Sequence, residues 1–209
     1  FMFRLTKEWV STSAALLSSA AFATLIFPIL YSRIARPYAL GMLFVLMAGA
    51  FWIRIVRGHH RTSDFVWLAV SLALCAYSHY FAALTAAVLA FTGIFLIRGR
   101  NLKSYLLALA AALLLYVPYT PIFLHQLSLG GVGEWLGAPG NDWLWKHLQY
   151  VFNESLLVQV AIVTTAIVGF VIFKSEKTFI RNILPLLLFT VPFLVGFFYS
   201  RNVNPVLQN

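Results

Sequence analysis

A succession of apolar runs, at 12–31, 38–53, 65–78, 80–97, 104–124, 156–173 and 182–199, constrains this chain more than any other feature. A helix crossing a membrane needs about 20 mostly apolar residues, because the hydrocarbon core is about 30 Å thick and each helical residue rises about 1.5 Å. Runs of this kind fill most of the 209 residues and leave no room for a sizeable soluble domain. Composition agrees: 61% of residues are apolar and only 10% charged, against about 45–50% and about 25% in water-soluble domains. The expected fold is all-α, a polytopic transmembrane bundle of about seven spans forming a single domain over 1–209.

Charge decides the arrangement of the third and fourth runs. The stretch 65–97 is too long for one helix and reads as two short ones broken near Ser78-His79-Tyr80. Cytoplasmic loops collect Lys and Arg, and the clusters here are Arg4/Lys7, Arg54/Arg57/Arg61, Arg98/Arg100/Lys103 and Lys174/Lys177/Arg181. A hairpin at 65–97 puts all four clusters on one side, leaving Arg33, Arg36, Lys146 and Arg201 on the other. The net charge of +9 is therefore dispersed over short turns, and no nucleic-acid partner is expected. Cys75 lies alone inside an apolar run, which excludes an internal disulfide and reads as packing. His59-His60 belongs to a basic turn, and no ligand set for a metal or cofactor is seen. Phosphate-loop, His-Glu-x-x-His and Gly-x-Ser-x-Gly motifs are missing from the sequence.

The polar residues left over fall at 31–37, 77–80, 125–155 and 200–209. In the first place, Pro37 is expected to open a helix with Arg36 at its cap. A cation there sits against the positive end of the helix, a conflict that a bound anion resolves, so Arg36 with Arg33 makes a phosphate site. The alternative is that both arginines snorkel to lipid headgroups. In the second place, Tyr77-Ser78-His79-Tyr80-Phe81 reads either as a sugar- or phosphate-holding knot or as an aromatic belt. The third is the only long loop, rich in Gly130, Gly131, Gly133, Gly137, Pro139 and Gly140. Within it Asn141 and Asp142 are expected to cap a short amphipathic surface helix running to about Phe152. Leu144, Leu148, Val151 and Phe152 form its apolar face, and Trp143 and Trp145 serve as interfacial anchors. Its role as a substrate-guiding lid or a plain connector stays open. Glu134, Asp142 and Glu154 read as loop, cap and boundary residues rather than catalysts.

The pattern Tyr31-Ser32-x-x-Ala35-Arg36-x-Tyr38-Ala39-Leu40, followed by a span, a basic turn and a hairpin with Tyr77-Ser78-His79-Tyr80-Phe81, resembles the bacterial membrane glycosyltransferases of family 39. These stand with the protein O-mannosyltransferases and the aminoarabinose transferases of lipid A, in the GT-C fold. The tail Asn204-Pro205-Val206-Leu207 is similar to their outer segment before a later span. Relatives carry Gln and Glu where this chain has Arg33 and Ile34, whereas Arg36 and Tyr38 match. The resemblance implies transfer of a sugar from a polyprenyl-phosphate-linked donor to a lipid, glycan or protein acceptor, on the non-cytoplasmic face of a bacterial inner membrane. It implies that Arg36 and Tyr38 bind the donor phosphate, Arg33 joining them by its charge alone, and that His79 and Tyr80 are further candidates for sugar or phosphate contacts. It also implies an acidic general base in a first outer loop. The front, Phe1-Met2-Phe3-Arg4, reads as no secretory signal. With Phe rather than Met first, Gln208-Asn209 just after a loop, and Phe1 to Trp9 reading as a cytoplasmic turn before a later span, the chain is expected to be a piece of a longer enzyme with that base upstream of Phe1, inactive alone. The alternatives from other classes are a polytopic transporter or lipid flippase and a non-catalytic assembly subunit. Against the transporter, the expected spans carry no ionisable residue in their interiors beyond His79.

Overall fold

A computed structural model of the chain describes residues 1–33, 37–59, 61–128, 139–152, 154–172 and 184–202. Among these residues the fold is all-helical, with no strand. The helices are α1 (Met2–Trp9), α2 (Thr12–Thr24), α3 (Ile26–Arg33), α4 (Tyr38–Val56), α5 (Thr62–Ser78), α6 (Tyr80–Leu96), α7 (Arg100–Tyr116), α8 (Thr120–Ser128), α9 (Trp143–Val151), α10 (Leu156–Ile172) and α11 (Leu184–Asn202). A 3₁₀ turn, Val117–Tyr119, joins α7 to α8.

All the apolar runs are helical where described, but their continuity differs from expectation. The first run divides at Leu25 into α2 and α3. Pro28 accounts for the break: it has no amide hydrogen, and its ring clashes with the carbonyl four residues back, at Thr24. In the long stretch 65–97 the break falls at His79, whose backbone is extended (φ −167°, ψ 146°). The fifth run begins after Gly99, at φ 63°, a left-handed conformation that suits glycine. It tightens into the 3₁₀ turn at Pro118, which displaces the Leu114 carbonyl in the same way. Among the described residues two segments are both long and apolar enough to cross a membrane, Tyr38–Val56 and the continuous path Arg100–Gln126. The 13-residue α2 and the 17-residue α5 and α6 are shorter than that measure, so the count of about seven spans remains a sequence expectation.

Two compact units divide the chain, one of Phe1–Ser19 and Ala35–Leu129, the other of Ala20–Ile34 and Gly130–Asn209. In the first, α4 packs against α1, α5 and α6, and α5 also packs against α7. Small residues allow the close approach: Ala48, Gly49 and Ala50 of α4, Ala69 and Ala73 of α5, and Ala82 and Ala86 of α6 are all buried. At one end of this unit Tyr105 is fully buried and donates its hydroxyl hydrogen to the carbonyl of Ala90 at 2.9 Å, with Leu89 at 3.3 Å. The hydroxyl lies over Gly93, where a Cβ would overlap it and come 2.5 Å from the ring carbon Cζ and 2.7 Å from Trp52 Nε1.

Near the same helix ends, the buried Asp64 in the first turn of α5 pairs with Arg54 near the end of α4, Oδ1 to Nη2 at 3.4 Å. Arg57 donates to the Trp9 carbonyl at 3.1 Å, tying α4 to α1. Cys75 is fully buried in α5.

In the second unit α9 lies against α3, and Trp143 of α9 packs its ring 5.5 Å from Phe193 and 6.1 Å from Phe197 of α11. Elsewhere the apolar surface is turned outward. α7 exposes Leu107, Leu113 and Leu114, and α10 exposes Leu156, Leu157, Val160, Val163 and Ile167. Continuous exposed leucine and valine of this kind is unusual on a water-soluble monomer.

Candidate functional site at the α5–α6 break

α4 reaches the α5–α6 break through Gly41. A Cβ at that position would stand 3.2 Å from both Ala82 Cβ and Ser78 Oγ, so glycine is what lets the start of α4 lie against the hairpin apex. The helix begins one residue later than expected: Pro37 is the residue before the first turn, and its carbonyl accepts from the Gly41 amide at 2.8 Å. Tyr38, the first residue of α4, therefore meets His79, with ring centroids 4.8 Å apart.

His79 caps α6. Its Nδ1 accepts the Phe81 backbone N–H at 3.2 Å, supplying a partner for one of the amides that a helix start leaves unpaired. With Nδ1 committed as an acceptor, the neutral ring carries its hydrogen on Nε2, which becomes a donor. The ring is further held by stacking on Phe81, centroids 5.5 Å apart and planes 19° from parallel.

Burial pushes the His79 pKa below the ordinary 6.5, and it does the same to His147 in α9. A histidine held neutral in the fold takes up a proton more readily when unfolded, so its stabilisation is present above 6.5 and is lost as pH falls below that value. Thermal melting in detergent between pH 8 and pH 5 is expected to show the midpoint falling below about pH 6.5. In a His79→Gln, His147→Gln variant the fall is expected to flatten; an equal fall in the variant would assign it to other groups.

Tyr80, exposed on the other side of the break, donates to Gln126 Oε1 at 3.1 Å, and Gln126 Nε2 donates to the Tyr119 hydroxyl at 3.4 Å. Tyr77 donates to the Leu115 carbonyl at 2.8 Å. The 3₁₀ turn eclipses residues three apart, and α8 continues the alignment at spacings of four and three. Tyr116, Tyr119, Phe123 and Gln126 consequently form one stripe facing Tyr77 and Tyr80, with ring centroids between 5.1 and 6.3 Å apart. This stripe was missed in the sequence because 104–124 reads as one apolar span; the signal is the spacing of its polar-tipped rings around Pro118.

Of the residues singled out from sequence, the structure brings together Tyr38, His79 and Tyr80. Arg36 lies outside the described residues. Arg33 ends α3 in the second unit, exposed, where a cation suits the negative end of a helix.

Of the surface helix expected near 141–152, the helix is present as α9, with a different set of contacts. Asp142 occupies the cap position but makes no side-chain cap bond; its carboxylate pairs with Lys146 at 2.6 Å, and that hydrogen bond holds its pKa below the ordinary value. Asn141 instead accepts from Arg201 Nη1 at 2.9 Å, fastening the end of α11. Trp143 is a buried packing residue rather than an interfacial anchor, stacked on His147 at 4.8 Å, while Trp145 is exposed. The burial follows from spacing: residues 143 and 147 lie four apart and share the face turned to α11. The glycine-rich loop with Glu134 lies outside the described residues. Among the described residues no three His, Cys, Asp or Glu side chains gather as metal ligands would.

Comparison of the chain with protein-family models, with curated proteins and with solved structures finds no match.

Proposed function

We propose that this chain is part of an integral membrane glycosyltransferase of the GT-C type, moving a sugar from a polyprenyl-phosphate donor to an acceptor outside the cytoplasm. The observation that carries the reading is the convergence of Tyr38, His79 and Tyr80 at one helix break, with His79 held as an Nε2–H donor. Such a donor beside aromatic rings suits an anionic or hydroxyl-rich headgroup. Membrane embedding is supported by the two candidate spans and by the outward leucines of α7, which are stable against lipid and not against water. In this reading the bundle has about seven spans, α9 lies on the outer surface, and the outer side faces the periplasm. Arg36 neutralises the phosphate as charge develops on the leaving group. Tyr38 and His79 orient that phosphate.

The test is binding of undecaprenyl phosphate to the protein in lipid nanodiscs, followed by native mass spectrometry. Losing one charge-assisted hydrogen bond costs about 1.5–3 kcal/mol, so Arg36→Ala and His79→Ala are each expected to weaken binding by about tenfold or more. Unchanged binding in both variants, or full transfer activity of the parent enzyme carrying Arg36→Ala, refutes the phosphate assignment.

A further inference from the structure

We infer that the stripe of Tyr77, Tyr80, Tyr116, Tyr119, Phe123 and Gln126 is a saccharide platform, taking a pyranose ring on its aromatic faces and hydroxyls on its amide and phenol groups. The inference deepens the proposed function by naming what occupies the side of the break away from Tyr38, and it rests on that reading.

A pyranose has a flat face of C–H groups and an equatorial rim of hydroxyls. A site for it needs exposed aromatic surface together with donors and acceptors fixed near the ring edges. Both are present. Tyr80 and Tyr77 are exposed, and the rings behind them are held in edge-on and tilted contacts with centroids 5.1–6.1 Å apart. The polar groups are fixed by one another in the order Tyr80, Gln126, Tyr119. Their remaining valences are defined by that order. The Tyr119 oxygen accepts from Gln126, so its own hydrogen is directed elsewhere, and Gln126 keeps a second amide hydrogen and a second carbonyl lone pair. The platform therefore offers two donors and an acceptor within two turns of helix, beside exposed rings.

An interfacial aromatic belt alone accounts for the rings less well. Belt tyrosines turn their hydroxyls to water and headgroups. Here Tyr80 and Tyr77 each spend a hydroxyl on a bond to another helix, which orders the rings at a cost in side-chain freedom. Length places the site at the edge of the membrane. The path Arg100–Gln126 has 27 residues, and about 20 suffice for the hydrocarbon core, so its last turns project beyond it.

The experiment is saturation-transfer NMR on the whole chain in nanodiscs, irradiating protein aromatic protons. The probes are methyl α-mannopyranoside, methyl β-glucopyranoside and methyl β-galactopyranoside, with empty nanodiscs as blank. At least one probe is expected to receive saturation on its ring C–H protons. Tyr80→Ala and Phe123→Ala are expected to reduce it about fivefold, as loss of one stacking contact does, and Tyr80→Phe, which keeps the ring, less. Unaltered melting of Tyr80→Ala, a change at an exposed position, shows that the fold persists.

A second arm compares undecaprenyl phosphate with an undecaprenyl-phosphate-linked sugar. Tighter binding of the sugar-bearing lipid, with the gain lost in Tyr80→Ala, makes the occupant the donor sugar. Equal binding of the two lipids beside a positive pyranoside signal makes it the acceptor glycan. No transfer to any pyranoside, or equal transfer in wild type and variants, overturns the platform. Loss of undecaprenyl phosphate binding with the pyranoside signal kept would instead remove the phosphate reading and leave the platform in place.

Discussion

Gly93→Ala is expected to destabilise the first unit by about 2–4 kcal/mol, although alanine is the better helix former by about 1 kcal/mol. The added methyl cannot be accommodated by a side-chain swing. It would overlap the Tyr105 hydroxyl, lie 2.5 Å from Tyr105 Cζ and press to 2.7 Å from Trp52 Nε1. Tyr105 and Trp52 are both fully buried, so each is hemmed in by its own packing. Overpacking of this kind costs about 1–3 kcal/mol, and driving the hydroxyl off the Ala90 carbonyl adds about 1–3 kcal/mol for a buried polar group left without its partner. Melting in detergent followed by circular dichroism checks this. The double variant Gly93→Ala, Tyr105→Leu is expected to recover much of the loss, since the smaller side chain vacates the space. A midpoint raised by Gly93→Ala alone would mean that the helix preference outweighs the crowding.

The second large effect concerns a charge. Arg54→Met leaves the Asp64 carboxylate buried without its ion partner, and breaking a buried pair from one side costs about 3–5 kcal/mol. The Arg54 side chain is 30% exposed, so the lower end, about 3 kcal/mol, is expected. Replacing both partners, as Arg54→Met with Asp64→Leu, removes the uncompensated charge, and the double variant is expected to be more stable than Arg54→Met alone. Denaturation of all four forms in mixed micelles gives the coupling directly; additive losses would show that the pair contributes nothing beyond its separate packing.

These two sites differ in how far the sequence announces them. Apolar periodicity makes the helices legible, and the placement of arginines makes the break in 65–97 legible, because only a hairpin gathers the basic turns on one side. The break falls at His79, within the three residues expected to hold it. Asp64 is harder to see. It stands directly before an apolar run and among Arg54, Arg57 and Arg61, so in one dimension it reads as part of a solvated turn. Only packing of α5 against α4 shows it to be buried.

The tyrosine stripe is concealed for a related reason. Tyr116, Tyr119 and Phe123 stand at i, i+3 and i+7, a spacing that lines one face of any helix, but they lie in a run that reads as one apolar span, and only the hairpin packed against that face marks it out. In α9 the composition correctly marks a helix, yet which tryptophan turns inward depends on the aromatic partners that α11 presents. Tyr38 and His79 are adjacent in space and 41 positions apart in sequence, a juxtaposition set by Gly41 rather than by either residue.

Cys75 gives the chain a practical property. A thiol enclosed on every side within α5 is shielded from membrane-impermeant maleimides, and the sequence contains no other cysteine. Single cysteines introduced at the exposed Arg61, Arg98 or Ser128 would then be labelled against a silent background, with the native residue left in place. Whether reagent added from one side reaches the first two positions together, and the third only from the opposite side, reads the orientation of the helices directly in whole cells.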